Sequence, residues 1–356
     1  MHNVEKLRKE IDKIDDEILN LLNKRSNIVL EIAHVKRNEN AKFYSPERER
    51  QILERLTDLN QGPFPNETLK VIYREILSAS LSLEEPLKVA CLGPLATFTH
   101  LAALRHFGSS AQFMPVESIK DVFDVVETAK ADFGVVPIEN SNEGVISYTL
   151  DMFIDSELRV SAEVMLEITH NLLSLSGDKS KIKKVYSFSP ATAQCRRWIQ
   201  QNLAGIPIVE ATSTARAAER ASADPEAAAI ASDLAAEIYN LQFIEKNIED
   251  SRQNYTRFLV ISKEFPQQSG HDKTSIMFTL KNKPGSLYKT LEPFKKADIN
   301  LTKIESRPSK RKAWEYIFFA DMEGHIENKK LRKAIDAVKD NCLFLKILGS
   351  YPYGGL

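Results

Sequence analysis

Arg25 and Lys36 stand where a helix should be apolar. Leu7, Ile11, Ile14, Ile18, Leu21/Leu22, Ile28/Val29 and Ile32 recur around them at helical spacing, describing one stripe. The two cations fall on that stripe eleven residues apart, close to three turns. A charge in an apolar seam is expensive unless it meets an anion. A later segment repeats the anomaly: Leu69, Ile72/Tyr73 and Ile76/Leu77 are followed in phase by Ser80 and Glu84. Such heads either reach water and pair with one another, or they line a site. Arg8, Arg25, Lys36, Arg48 and Glu84 together suit a helix-lined site for a small polyanion. Arginine offers a rigid fork that matches a carboxylate. Lys36 is a point donor, and Glu84 donates only when protonated. No nucleophile–base pair accompanies them. The site would act by positioning and electrostatic stabilisation, which suits a unimolecular rearrangement.

Four further motifs could bear chemistry. GVVPIENSNEGVISYTLDMF reads as a strand ending at Pro137-Ile138, then a polar turn, then a helix. Asn140, Ser141 and Asn142 in that turn are either caps or donors into a cleft. Thr97, after Gly93-Pro94, either begins a helix or joins them. In NYTRFLVIS, Thr256-Arg257 is a strand-leading turn or a donor pair facing a carboxylate. Pro284-Gly285 before a helix is a plain turn or aims free amides at a carboxylate.

These residues need elements to hold them. A helix from about Val4 to about Arg37 would be roughly 50 Å long, too long for one small domain to bury, so it should pack on a partner chain. Ser45-Pro46 starts a second helix through Leu59. Gly62-Pro63-Phe64-Pro65-Asn66 breaks the chain before a third helix ending near Glu84. From residue 86 the pattern changes to strands (Lys88–Leu92, Phe133–Ile138, Leu158–Val160, Lys184–Ser187, Ala228–Ser232, Arg257–Ser262) alternating with helices. That predicts an α/β domain of mainly parallel sheets, in two lobes around a cleft. The alanine-rich run Ala211–Ala236 reads as close-packed helix. After the linker at 266–270, the order is Ser275–Leu280, helix Ser286–Lys296, Leu301–Ser306, Trp314–Met322, helix Asn328–Asn341, Phe344–Ser350. This is βαββαβ, a ferredoxin-like α+β unit. The expected domains are 1–85, 86–265 and 271–356.

Composition narrows the function classes. A net charge of −1 over 356 residues leaves no footprint of a nucleic-acid binder. No apolar run approaches bilayer length and the charged start lacks a signal core, so no membrane is expected. Cys91, Cys195 and Cys342 read as reduced thiols of a cytoplasmic protein. The histidines do not cluster at metal spacing. No GxGxxG or Walker loop calls for a dinucleotide or ATP.

The motifs carry a specific resemblance. LRKEIDKID, LLNKRSNIVLEIAHVK, FYSPERE and REILSASLSLE resemble the all-helical chorismate mutases, which rearrange chorismate to prephenate. By that resemblance Arg8, from across an intertwined dimer, Arg25 and Arg48 bind carboxylates. Lys36 and Glu84 donate to the ether oxygen, and Glu49 holds the substrate hydroxyl with Ser80 nearby. Ser45 replaces a common Asp, and Glu84 a Gln found in some members. Glu84 implies activity that falls as pH rises through its titration. VACLGPLATFTHLAA, GVVPIENSNEG, ITHNLLS, ATSTARAAE and NIEDSRQNYTRFLVIS resemble prephenate dehydratase, two lobes like a periplasmic binding protein. Thr256 is then the first choice as proton donor or orienter, with Arg257 beside it. Thr97, Glu139, Asn140, Ser141, His170, Asn171 and Gln194 line or brace the cleft. SFSPATAQC departs from the usual SHPQALAQC, placing Phe188 where a His is common. KNKPGSLYKTLEPF and NLTKIESRPSKRKAWEYIFF resemble the ACT regulatory domain of the same family. There Gly285, Ser286, Leu287, Glu305, Ser306, Arg307 and Pro308 would form a phenylalanine site between paired domains.

Together these imply a bifunctional enzyme of phenylalanine biosynthesis without a cofactor. Chorismate and prephenate are its substrates, phenylalanine its allosteric inhibitor, and its state a homodimer or homotetramer. Two alternatives remain at this level: a non-enzymatic amino-acid sensor, and a dehydratase with an inactive mutase module.

Overall fold

The structure is a computed structural model that describes residues 2–39, 44–251, 253–308 and 316–353. It divides into two compact units, Met1–Leu87 with Phe107–Gln112, and Lys88–His106 with Phe113–Leu356.

The first unit is built on α1 (His2–Asn38), α2 (Pro46–Leu59) and α3 (Asn66–Glu84). Ser45 caps α2, its hydroxyl accepting from the Arg48 amide, and Pro46 opens it. The helix α1 runs 37 residues, as the stripe predicts. Within the single chain, most of that stripe is bare. Leu7, Ile11, Ile14 and Ile18 are each at least half exposed, whereas Val29 and Ala33 are buried.

The second unit opens with β1 (Lys88–Leu92), α4 (Phe98–Phe107), β2 (Gln112–Val116), α5 (Ile119–Glu127), β3 (Phe133–Asn140), β4 (Gly144–Val145), α6 (Ser147–Asp155) and β5 (Arg159–Glu167). It continues with β6 (Asn171–Ser174), β7 (Lys184–Phe188), α7 (Ser189–Gln194), α8 (Arg196–Asn202), β8 (Ile208–Ala211), α9 (Thr214–Ser222), β9 (Ala227–Ala231), α10 (Asp233–Ile238) and β10 (Gln242–Glu245). The strand β11 (Tyr255–Ser262) then returns to the first lobe. One sheet has the order β2-β1-β3-β11-β5, and the other β10-β6-β9-β7-β8. Both are mixed rather than mainly parallel: β3 is parallel to β1 but antiparallel to β11, and β9 is parallel to β7 but antiparallel to β6. In the first sheet the reason is the return of β11, which inserts between β3 and β5 from the opposite direction; in the second it is β6, which runs against both β9 and β10.

The alanine-rich run is not one helix. It holds α9 and the strand β9, and Ala215, Ala217, Ala218, Ala221 and Ala227–Ala231 are fully buried. Small side chains let the helix lie close on the sheet, where any larger residue would overfill the core.

The C-terminal portion adds β12 (Asp272–Thr279), α11 (Ser286–Lys296), β13 (Leu301–Pro308), β14 (Tyr316–Glu323), α12 (Lys329–Lys339) and β15 (Phe344–Pro352). This is the βαββαβ order expected, with sheet order β13-β14-β12-β15. The expected strand start at Trp314 lies outside the described residues. This sheet does not stand alone. Val136, Ile138, Phe153, Val160 and Leu259 of the first lobe share one core with Met277, Phe319, Leu348 and Tyr351.

Candidate active sites

In the helical unit, α1 and α3 bring four of the candidate residues together in two pairs. The Arg25 guanidinium donates to the Ser80 hydroxyl, which itself donates to the Ile76 carbonyl at 2.6 Å. Lys36 Nζ lies 3.5 Å from Glu84 Oε2, an oxygen that is buried and has no hydrogen-bond partner. Arg37 donates to the Glu84 carbonyl at 2.6 Å, fixing the end of α3. Arg48 is exposed and Glu49 partly buried on the first turn of α2. Burial pushes the Glu49 carboxyl up to about 7, opposed by the nearby Arg74. Arg8 is exposed on α1.

The second unit holds a cleft of about 340 Å³ between its lobes. Its lining includes Thr97, Asn140, His170, Gln194 and Thr256 from the sequence-based set. At its centre Asn140 Nδ2 donates to Thr256 Oγ1 at 2.8 Å and to Asn254 Oδ1 at 2.9 Å. The Asn140 Oδ1 accepts from the amides of Asn142 and Glu143, an Asx turn that holds ENSNEG in shape. Thus Asn140 is both cap and cleft residue.

A second chain crosses the cleft. Gln194 Nε2 donates to Glu143 Oε1 at 2.8 Å. A carboxylate only accepts, so this bond turns the Gln194 oxygen toward Asn254 Nδ2 (2.7 Å) and His170 Nε2 (2.8 Å). His170 must therefore carry its proton on Nε2, leaving Nδ1 buried and unpartnered. Burial holds the His170 pKa below the ordinary histidine value, so the ring is neutral near pH 7.

Among the described residues, the cleft's lining includes no lysine or arginine. Two helix N-termini, which favour anions, face it instead. Thr97-Phe98-Thr99 begin α4 and Thr212-Ser213-Thr214 begin α9, and both triplets line the cleft. Thr97 donates to the Leu92 carbonyl at 2.7 Å and accepts from the His100 amide. It is a helix start that also faces the cleft.

Two expectations are corrected. Arg257 does not line this cleft. Successive residues of a strand face opposite sides, so Thr256 points in while Arg257 points to the C-terminal sheet. There its guanidinium meets Glu163 Oε2 at 2.7 Å, Asp321 Oδ2 at 2.6 Å and the Tyr351 hydroxyl at 3.0 Å. Glu139 also faces away, held by Lys303 at 2.5 Å. Ser141 and Asn171 brace rather than line. Ser141 Oγ accepts from the Tyr255 amide and donates to the Gln253 carbonyl. Asn171 donates to Asp233 and accepts from the Asn247 amide.

Sequence reasoning passed over Glu143, Asn254 and the Thr212–Thr214 triplet as site residues. Each sits within a motif already quoted; Glu143 and Asn254 lie two residues from Ser141 and Thr256, whereas no residue near the triplet was chosen. Phe188, the departure from the usual His, lines the cleft.

In the C-terminal portion, Gly285 adopts φ +81° as the residue before α11, a left-handed turn that glycine adopts freely. Ser286 and Leu287 follow in the first turn. Glu305 and Ser306 lie on β13 with Pro308 at its end. Arg307 is engaged elsewhere: it pairs with Asp151 Oδ1 at 2.7 Å and donates to the Ser147 carbonyl. Among the described residues, no helix is long and apolar enough to cross a membrane.

Three family models match in order: chorismate mutase type II over residues 7–85, prephenate dehydratase over 89–266 and the ACT domain over 274–340. A bifunctional chorismate mutase/prephenate dehydratase of Aquifex aeolicus is 52% identical over 99% of this chain and 98% of its own length. Its counterpart in Stutzerimonas stutzeri is 42% identical over 97% and 96%. Among solved structures, a prephenate dehydratase from Arthrobacter aurescens in complex with L-Phe aligns at TM-score 0.69 and 32% identity. That alignment covers 75% of this chain and 90% of the other.

Proposed function

This chain belongs to the family of bifunctional chorismate mutase/prephenate dehydratases, and on that premise we propose how its residues divide the work. The helical unit performs the Claisen rearrangement, in which the ether C–O bond of chorismate breaks as a new C–C bond forms. Arg25 and Arg48 take carboxylates, with Arg8 supplied by a second chain. The exposed apolar stripe of α1 supports that partner: Leu7, Ile11, Ile14 and Ile18 flank Arg8 and Arg25 along it. Lys36 and Glu84 donate to the ether oxygen as it gains negative charge. The buried, unpartnered Glu84 Oε2 beside Lys36 is what favours this pairing. Glu49 holds the substrate hydroxyl and Ser80 orients Arg25. In mutase assays, Glu84→Ala should lower turnover while Glu84→Gln, whose amide also donates, should keep most of it. Full turnover in Glu84→Ala would remove Glu84 from the donor role.

The cleft of the second unit converts prephenate to phenylpyruvate. The ring hydroxyl leaves as water after taking one proton, while the ring carboxylate departs as carbon dioxide and its electron pair aromatises the ring. Thr256, fixed by Asn140 at 2.8 Å, orients or protonates the leaving hydroxyl. The substrate's carboxylates lie at the N-termini of α4 and α9, whose first residues line the cleft. Neutral His170 and Gln194 hold the Asn254–Asn140 chain in place. The observation that carries this reading is the Thr256–Asn140–Asn254 hydrogen-bonded group inside a cleft of substrate size. Purified protein given prephenate should release phenylpyruvate, and failure to do so would sink it.

The C-terminal domain binds phenylalanine at Gly285–Leu287 with Glu305, Ser306 and Pro308, between paired chains of a cytoplasmic homodimer or homotetramer, while Arg307 stays with Asp151. The open amides at the start of α11 suit its carboxylate.

A further inference from the structure

The register of β11 on β3 places two rungs in succession. Thr256 pairs with Asn140, and Arg257 pairs with Glu139. The first rung faces the cleft and the second faces the ACT sheet. Both members of the rear rung end on that sheet. Arg257 meets Asp321 of β14 at 2.6 Å and Tyr351 of β15 at 3.0 Å. Glu139 meets Lys303 of β13 at 2.5 Å. Immediately beyond, the ladder shifts: Phe258 pairs with Pro137, leaving Ile138 as an extra residue on β3. A bulge bends its strand and interrupts regular pairing. The front rung therefore has an irregular ladder behind it and two ion pairs to stiffen it.

We propose that the ACT sheet is a positioning element of the dehydratase site: Asp321 and Lys303 hold the Arg257/Glu139 rung and so aim Thr256 and Asn140 into the cleft. This rests on the role given above to Thr256. The charge balance of the rear face supports it. Arg257 and Glu163 come from the dehydratase sheet, Asp321 and Lys273 from the ACT sheet. Each guanidinium or ammonium meets a carboxylate across the boundary, with Lys273 2.9 Å from Glu163. Glu163, Lys273 and Asp321 are buried. Without the Asp321 charge, Arg257 and Lys273 share Glu163 alone. The guanidinium is then drawn toward β5, carrying its strand with it.

The test uses the full-length chain with Asp321→Asn, Lys303→Met and Thr256→Val, each assayed for both activities in one preparation. The proposal predicts that Asp321→Asn and Lys303→Met lower dehydratase kcat at least about tenfold, since a displacement near 1 Å costs about a hundredfold. KM for prephenate should stay within about twofold, mutase turnover should be unchanged, and Asp321→Glu should restore part of kcat. Unchanged kcat in both ACT-sheet variants, alongside lost activity in Thr256→Val, would reduce the contacts to adhesion and overturn the proposal. Should Asp321→Asn fail to fold, Lys303→Met decides alone, because its ion pair is partly exposed. Full activity in Thr256→Val would instead overturn the reading of the cleft, and the proposal with it.

Discussion

Thr256→Val removes one hydroxyl and keeps the β-branched shape. Its structural cost follows from the bonds around it. Thr256 Oγ1 accepts from Asn140 Nδ2, which also donates to Asn254. The amide is not orphaned, so only one neutral hydrogen bond is lost, worth about 1 kcal/mol. For a unit of this size that lowers Tm by about 2–4 °C. The catalytic cost should be far larger. A positioned proton donor contributes about 10²–10⁴-fold, which is roughly 3–5 kcal/mol of barrier. The assay is phenylpyruvate release from saturating prephenate, with prephenate formation from chorismate as an internal control. The expected outcome is a dehydratase kcat down at least about a hundredfold with mutase turnover intact. A kcat within about threefold of the parent would refute the assignment of Thr256, whatever the Tm.

Three further outcomes are expected. Glu49 holds its proton up to about pH 7 in the folded chain but releases it near its ordinary value when unfolded; the native state binds more protons in between. Stability of the helical unit should therefore fall as pH rises from about 4.5 to 7, by up to about 3 kcal/mol; calorimetry should show Glu49→Gln flattening that slope, and an unchanged slope would exclude Glu49 as its source. Gly349→Ala would put a Cβ 2.2 Å from the Val160 carbonyl oxygen, a clash no rotamer relieves. It should destabilise the second unit by about 1–3 kcal/mol in denaturant titrations, and a neutral substitution would mean β15 and β5 are less closely apposed. Gly285→Ala meets no neighbour but keeps φ +81°, costing about 1–2 kcal/mol; it should weaken inhibition by phenylalanine several-fold without lowering uninhibited turnover, and unaltered inhibition would place the effector elsewhere.

Local pattern revealed much of this molecule before its coordinates. The α1 stripe, the Ser45-Pro46 start and the βαββαβ order all follow from side-chain period and punctuation. Arg25 with Ser80, and Lys36 with Glu84, were visible because charge in phase with apolar residues is a local anomaly. The faces of β11 were also legible in principle: a period of two separates Thr256 from Arg257. Chemical type drew both into one site, although adjacent strand residues face opposite ways. What no pattern showed was the destination of Arg257. Asp321 and Tyr351 lie 64 and 94 residues away in sequence, and only the return of β11 beside the C-terminal sheet brings them together. The same long-range return made the first sheet mixed. The part played by two helix N-termini in the cleft was hidden for a similar reason, since they carry no charged residue to notice.

One assay addresses the central claim, that this single chain carries out both steps under control of the end product. Chorismate alone is supplied and phenylpyruvate followed, with and without phenylalanine. The account predicts phenylpyruvate without added prephenate, and its suppression as phenylalanine rises. Prephenate accumulating with no phenylpyruvate, or no conversion of either substrate, would contradict it.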